Sequence, residues 1–584
     1  MEIDWINIKG FRNYKNETIN LAKQTLVIGS NDIGKTNLIY ALRLLFDRSL
    51  NELDLDLIES DYNIFSDDKE IEITVKISDM TEDCLISMFK NHINSDTTYI
   101  RYSNKFSEEF KIFVGSTIEL LEEYDSRFYI KRLNMEYVNT NRNLEYFMKK
   151  EKNQLFKDAK VELNPEQIRD DNSFIDNIKQ DLNSISENIE SLNYVKNSLV
   201  NINSELQSLA IHNEGKQLNF KNMNSDTTKL LNNLQLTYSS GNGHLALGGD
   251  GRNNQIFLAT WLSRQNKRNI LEAVTFYAIE EPEAHLHPHQ QRKLSKYLLD
   301  SISQQVFITT HSPHIASGFK PDKIVKLFLK DKDTKAAKGG CSKNFKLPFD
   351  DFGYRLDAIT SDLFFVNVIF LVEGPSEKLF YTALSQALNI DLDKLNISII
   401  TVNGIGFKPY IKICKALEIP FVLRTDNDLS SKTKNGEKCY YQAGVSRVMG
   451  IFEEFFEDDD FISYWKYNKN ENEWVGEKSD ITDEAIKLQK CIRRKIENEY
   501  QLFLANVDLE EDLANSLISE QLKSFYETDS SYIVIKKMQE RKAENMYKFL
   551  KENISILSTL KNDSIANPLW KVKELSEKVV MENG

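Results

Sequence analysis

The stretch TLVIGSNDIGKTNLIYALRLLF, residues 25–46, constrains the fold more than any other part of the chain. An apolar run of strand character, Thr25–Gly29, leads into a turn bracketed by Gly29 and Gly34, and apolar spacing then predicts a helix over Asn37–Phe46. GSNDIGKT fits the pattern GxxxxGK[ST] in full and in the strand–loop–helix setting the pattern requires. Glycines let the backbone wrap phosphate oxygens, and the amides that open a helix carry partial positive charge. In such a loop Gly29, Asn31 and Gly34 shape the cradle, Lys35 reaches the β- and γ-phosphates, and the Thr36 hydroxyl ligates Mg²⁺. ATP is the expected nucleotide.

Two later strand ends fit the same site. The run VTFYAI (274–279) ends in Glu280 and Glu281, which places carboxylates at a strand's C-terminal tip, where open α/β sheets bind ligands. Glu280 is expected to hold Mg²⁺ through water and Glu281 to orient the attacking water. His311 follows the strand VFITT and is expected at the γ-phosphate.

The second half restarts the strand–helix alternation. VIFLVEG (368–374) precedes a helix predicted over Ser376–Leu388, and ISIITVNG (397–404) and IPFVLRTDND (419–428) follow. Glu373 and Glu377 lie after one strand, Asp426 and Asp428 after another. Acids at i and i+2, joined by acids from a second strand end, supply the hard oxygen ligands that Mg²⁺ or Mn²⁺ requires. Packed anions raise one another's pKa, which a cation relieves.

At 584 residues the chain exceeds one core, so at least two domains are expected. Between about 165 and 210 apolar residues such as Ile178, Leu182, Ile185, Ile189 and Leu192 recur near a heptad spacing, predicting a helical arm or hairpin. The lysine- and glycine-containing stretch 330–345 reads as a loop or linker, and the chain from about 480 reads as mostly helical. The net charge of −14 argues against nucleic acid as a partner only on average, because lysines gather between Lys320 and Lys346, at Lys432, Lys434 and Lys438, and at Lys536, Lys537, Arg541 and Lys542. Five scattered cysteines without a CxxC pair read as reduced, and the absence of an export-like start or a long apolar run predicts a cytoplasmic protein without a membrane partner.

GSNDIGKT, AIEEPEAHLHP and TTHSP together resemble ABC-class ATPases of the structural-maintenance and recombination-repair type. That resemblance implies a site completed by a loop of a second chain, with Gly248-Gly249-Asp250-Gly251-Arg252 as the candidate. EGxxE, then VNG, then DxD resembles the Toprim domain. An ABC-class ATPase followed by Toprim is the architecture of the OLD family, and VEGPSEK with RTDNDL resembles the nuclease subunits of Gabija anti-phage systems within it. The implied fold is α/β, with an N-terminal ABC-class ATPase domain over 1–345 carrying a helical, dimerising insertion at about 150–235. A C-terminal Toprim α/β domain with helical additions would fill 346–584.

By the resemblance Glu373, Glu377, Asp426, Asp428 and Asp508 are metal ligands, with Glu510 and then Asp512 as further acids, and Lys542 is the basic residue near the scissile phosphate. The implied function is nucleotide-regulated, Mg²⁺- or Mn²⁺-dependent cleavage of double-stranded DNA in anti-phage defence by a homo-oligomer, dimer or tetramer, with a helicase-like partner. The competing reading is a recombination-type ATPase that clamps DNA, with Toprim as a non-cleaving scaffold.

Overall fold

The computed structural model describes residues 1–583 apart from 67, 125, 141, 143, 210–214, 221–229, 232, 233, 235, 236, 241, 242, 246–248, 268–272, 342–359, 403–405 and 435. They divide into two units: Met1–Thr140, Asn269–Glu283 and His287–Gly584 in one, Asn141–Arg268 and Ala284–Leu286 in the other.

The larger unit begins with an antiparallel six-stranded sheet, in which Tyr14–Asn20, Glu2–Phe11, Glu70–Ser78, Thr98–Lys105, Lys111–Gly115 and Leu121–Tyr124 are neighbours in that order. Alternation decides which face is buried: Ile71, Ile73, Val75 and Ile77 point into the core with Ile6, Ile8, Ile100 and Val114. A second six-stranded sheet runs Asp333–Ala336, Ile324–Lys330, Gln24–Ile28, Val306–Thr309, Val274–Glu280, Leu133–Val138. Apart from the hairpin at its edge it is parallel. The three strands at its centre, Gln24–Ile28, Val306–Thr309 and Val274–Glu280, are buried almost throughout because both faces are covered.

The stretch expected to be a loop or linker from 330 is, as far as Cys341, ordered against the first sheet, while 342–345 lie outside the described residues. Ile324–Lys330 and Asp333–Ala336 form an antiparallel hairpin. Tertiary contacts hold it: Asn13 Nδ2 donates to Thr334 Oγ1 at 2.6 Å, and the Lys15 amide donates to the buried Asp333 Oδ1 at 2.8 Å. Its lysines are not a bare basic patch, since Lys335 pairs with Asp333 at 2.7 Å and Glu17 at 3.1 Å.

On that hairpin Lys326 carries a stability cost. It is partly buried, and no carboxylate among the described residues is paired with it. Burial pushes its ammonium from 10.5 down to about 8, with only Cys414 nearby opposing. A lysine with a depressed folded pKa destabilises fully below pH 8, and the cost fades as pH rises through 8 toward 10.5. Lys326→Met is therefore expected to stabilise the protein at pH 7 by about 1–3 kcal/mol, with the gain shrinking by pH 9.5. Thermal melts at both pH values check this, and an equal or lower melting temperature at pH 7 rejects it.

The C-terminal part of the unit holds a parallel four-stranded sheet ordered Ile397–Thr401, Val368–Val372, Phe421–Thr425, Leu502–Leu504. The strand at Leu502–Leu504 interrupts the stretch expected to be mostly helical. All five residues of Val368–Val372 are buried. A small antiparallel sheet, Leu429–Lys434 with Glu437–Gln442 and Glu473–Val475, follows the third strand. The helix Asn567–Asn583 buries Leu569, Val572 and Ser576. It packs on Ile324–Lys330 of the second sheet and on Val368–Val372 and Phe421–Thr425 of the four-stranded one.

The smaller unit is mainly helical: Leu144–Val161, Pro165–Ser191, Asn193–Ser198, Val200–Leu209 and Asp250–Lys267. Asn164 caps the longest helix, accepting from the Glu166 and Gln167 amides, and Pro165 suits its first turn. The apolar stripe is present but unburied within the chain, with Ile178, Ile185 and Ile189 exposed. Of the candidate loop 248–252, Gly248 lies outside the described residues and Asp250 opens a helix. No helix among the described residues is long and apolar enough to cross a membrane.

Candidate nucleotide and carboxylate sites

The phosphate loop leaves the strand Gln24–Ile28 and enters the helix Lys35–Phe46 through Gly34, whose φ of 104° is left-handed. A Cβ there would stand 2.2 Å from Asn13 Nδ2, so only glycine fits. Lys35 is buried, and its Nζ donates to the Gly29 and Ser30 carbonyls at 3.0 and 2.7 Å, folding the side chain back over the loop. Burial lowers its pKa to about 8 despite Glu281, Asp32 and Glu280. Asn31 and Thr36 are exposed at the loop's open side.

Strand order brings the remaining residues here. Gln24–Ile28 pairs with Val306–Thr309, which pairs with Val274–Glu280, so the phosphate loop, His311 and the Glu280–Glu281 pair follow three adjacent parallel strands. Glu280 is buried and its Oε2 accepts from Tyr137 Oη at 2.8 Å. Glu281 has a φ of 43°, an unfavourable left-handed backbone for a side-chain-bearing residue. His311 Nε2 lies 3.6 Å from Glu281 Oε1. Burial and then Lys35 lower the His311 pKa, with Glu281 opposing. Glu283 Oε1 accepts from Thr310 Oγ1 at 2.6 Å and from the His311 amide at 2.8 Å, fixing the turn that carries the histidine.

The carboxylates follow the same logic in the C-terminal sheet. Glu373, Asp426 and Asp508 come after the C-terminal ends of three consecutive parallel strands, Val368–Val372, Phe421–Thr425 and Leu502–Leu504. Glu373 Oε1 accepts from the Asp426 amide at 3.0 Å and is hydrogen-bonded by Thr425 Oγ1 and ion-paired with Arg447. Glu377 is buried in the first turn of the helix Pro375–Ala387, where its Oε2 accepts from the Gly374 amide at 3.1 Å. Between Asp426 and Asp428, Asn427 points the other way, donating to Gln442 Oε1 at 2.8 Å. The helix Ala443–Phe455 crosses so close that a Cβ on Gly444 would meet the Asp426 carbonyl at 2.3 Å.

Asp508 caps the helix Leu509–Ala514, accepting from the Glu511 amide at 2.8 Å, and its second oxygen takes Gln539 Nε2 at 2.7 Å. Glu510 is buried beside it and accepts from Ser376 Oγ at 3.1 Å. Lys542 Nζ lies 2.9 Å from Glu510, 3.5 Å from Asp508 and 3.8 Å from Asp426. Asp512 instead holds Arg424, whose other amino group is 3.3 Å from Asp426.

These anions are strained by their setting. Burial pushes Asp426 up to about 8, Glu377 and Glu373 add to it, and Arg424 and Lys542 oppose. Glu510 is raised by burial in the same way, and the more exposed Asp428 by partial burial and then by Glu373. For Lys542 burial works against the charge, but Glu510, Asp426 and Asp508 outweigh it and raise its pKa. No group of three or more acid, histidine or cysteine side chains among the described residues has a preformed metal-binding spacing. Glu373, Glu377, Asp426, Asp508 and Glu510 are each turned toward a protein cation or amide instead, and Asp428 is exposed. The donor set still fits a hard divalent cation: all are carboxylates, and the Lys542 ammonium marks a point where one cation is within 4 Å of three of them.

Sequence reasoning missed Tyr137, Glu283, Arg424 and Arg447. Glu283 and Arg424 stand inside the quoted motifs EEPEAHLHP and RTDNDL. Tyr137 and Arg447 sit in an ordinary strand and an ordinary helix, with no local signal.

Comparisons agree with this layout. The family model described as AAA ATPase domain matches residues 1–316, over half of the chain, and that described as overcoming lysogenization defect protein-like, TOPRIM domain matches 364–428. The chain is 26% identical over 567 residues to the endonuclease GajA of Bacillus cereus (strain VD045), covering 92% of this chain and 93% of that protein. It is 23% identical to the endonuclease GajA of Bacillus cereus (strain HuB5-5), over 90% of this chain and 88% of that one. Over 177 residues it is 29% identical to the OLD nuclease of Thermus scotoductus (strain ATCC 700910 / SA-01), covering 28% of this chain and 32% of that protein. The chain therefore belongs to the AAA ATPase domain family and, with an OLD-like Toprim segment following that domain, is an ATPase–Toprim enzyme of the OLD family.

Proposed function

We propose that the chain is a nucleotide-regulated, divalent-metal-dependent endonuclease acting on double-stranded DNA in anti-phage defence. The carrying observation is that three consecutive parallel strands deliver Glu373, Asp426 and Asp508 to one place, with Lys542 among the acids there. Glu373, Glu377, Asp426, Asp428, Asp508 and Glu510 would hold Mg²⁺ or Mn²⁺. Bound there, the metal supplies a water that ionises near neutral pH and neutralises charge on the leaving oxygen. Arg424, clamped between Asp426 and Asp512, fixes the angle at which Asp426 faces the site.

In the ATPase domain, taken as 1–345, Gly29, Asn31, Gly34 and Lys35 would bind the ATP phosphates, with Thr36 and Glu280 toward Mg²⁺. Glu281, leaning on His311, would orient water at the γ-phosphate. The Toprim domain, 346–584, would cut; this boundary falls outside the described residues. Exposed Ile178, Ile185 and Ile189 on the helical insertion, about 150–235, support a homodimer or tetramer, and a helicase-like partner and a cytoplasmic setting complete the reading.

The test is supercoiled plasmid incubated with purified protein, with Mg²⁺, Mn²⁺ or EDTA and across ATP concentrations. Nicking or linearisation that needs the metal and responds to ATP is expected. Binding without cutting under every condition makes the chain a DNA clamp with Toprim as a non-cleaving scaffold.

A further inference from the structure

Three protein cations stabilise the acid group, and they differ in freedom. The Arg424 side chain is 4% exposed and paired at both ends. Those of Arg447 and Lys542 are 33% and 42% exposed. Arg447 pairs with Glu373, donates to Thr425 Oγ1 at 2.5 Å and reaches the Asp426 carbonyl at 3.4 Å. Lys542 sits within 4 Å of Asp426, Asp508 and Glu510.

Resting on the nuclease reading, we propose that Arg447 and Lys542 are exchangeable counter-ions. Lys542 stands among three carboxylates and Arg447 against Glu373, where the divalent cation would sit, and on its binding they swing outward to hold DNA phosphates. Ligand oxygens must close to about 2.0–2.1 Å around Mg²⁺. An ammonium 2.9 Å from Glu510, still in reach of two more acids, occupies that space and repels a second cation. Arg447 and Lys542 are long, partly solvated side chains that move without disturbing the core; Arg424 is not. Once off Glu373, the planar Arg447 fork matches a phosphate with two parallel hydrogen bonds. One exchange thus fills the metal site and creates the phosphate-binding one, so metal and DNA reinforce each other's binding. Arg447 becomes a DNA-contacting residue whose contact exists only in the loaded state.

The test uses the full-length protein and two readouts other than cutting. Mn²⁺ is titrated calorimetrically without DNA into wild type, Arg447→Met and Lys542→Met. Each variant is expected to bind Mn²⁺ about 10-fold more tightly, because a competing positive charge has gone. Affinity for a short DNA duplex is then measured in EDTA and in Ca²⁺. In EDTA the variants are expected to match wild type, and in Ca²⁺ to lose about 10-fold of the metal-dependent gain. If the two residues only brace the acids, Mn²⁺ binding weakens in both variants, and that result overturns the proposal. Equal loss of DNA affinity with and without Ca²⁺ overturns it as well. Should Arg447→Met fail to fold, Lys542→Met, at a partly exposed helix start, decides the Mn²⁺ arm. Wild type that never cuts plasmid would sink the nuclease reading while leaving the Mn²⁺ result standing.

Discussion

Asp426→Ala is expected to lower plasmid cleavage at least about 100-fold while leaving ATP affinity within about twofold. Removing the carboxylate takes away one hard oxygen ligand and one negative charge from the proposed cation site. The fold should tolerate the loss. Burial and the neighbouring Glu377 and Glu373 make this anion costly, as its pKa of about 8 records. Arg424, the partner left behind, keeps its 2.9 Å contact with Asp512, so no buried charge is orphaned. The phosphate loop belongs to a different sheet, so nucleotide binding has no direct dependence on Asp426. Cleavage and nucleotide titrations on matched wild type and variant decide it. Normal cutting by the variant removes the nuclease assignment from this sheet, and a parallel loss of ATP binding points to misfolding.

Lys35→Ala is expected to weaken ATP binding about 10- to 100-fold, the worth of one lost hydrogen bond to a charged group. Lys35 Nζ is satisfied by the Gly29 and Ser30 carbonyls and burial disfavours its charge, so truncation costs the fold little. The loss appears when phosphates arrive, because Nζ then has anionic oxygens in place of neutral carbonyls. Equilibrium titration with ATP and with adenosine separates the cases: adenosine affinity should be unchanged. Equal affinity for ATP in both proteins would show that the loop does not cradle phosphates.

Legibility in the sequence tracked locality. GSNDIGKT, EGPSE and DND are short segments whose backbone setting follows from flanking strands, and strand order alone then gathers Glu280 with His311 and Glu373 with Asp426. The first sheet is hard to read, because its later strands, such as KIFVG and LEEY, are too short to show alternation. The hairpin at 324–336 was hidden because its turn, Asp331-Lys332, takes positive φ at both residues without glycine. Arg447 escaped for a different reason: its role depends on Glu373, 74 residues away, and no pattern around AGVSRVMG encodes that meeting. Glu377 shows the reverse hazard, since a residue picked for chemistry also serves as a helix-capping acid.

The helix Asn567–Asn583 limits how the two halves could ever be exchanged. One of its neighbours, Ile324–Lys330, is hydrogen-bonded to the strand that carries the phosphate loop; the others, Val368–Val372 and Phe421–Thr425, lead into Glu373 and Asp426. Interiors packed at crystal-like density leave no slack for such a helix to adjust. Any sliding of one sheet past the other must carry it along or break its contacts. A Toprim half grafted behind a different ATPase would bring a helix face shaped for a strand no longer there, so the two sheets meet across this helix as one fitted object rather than as two separable parts.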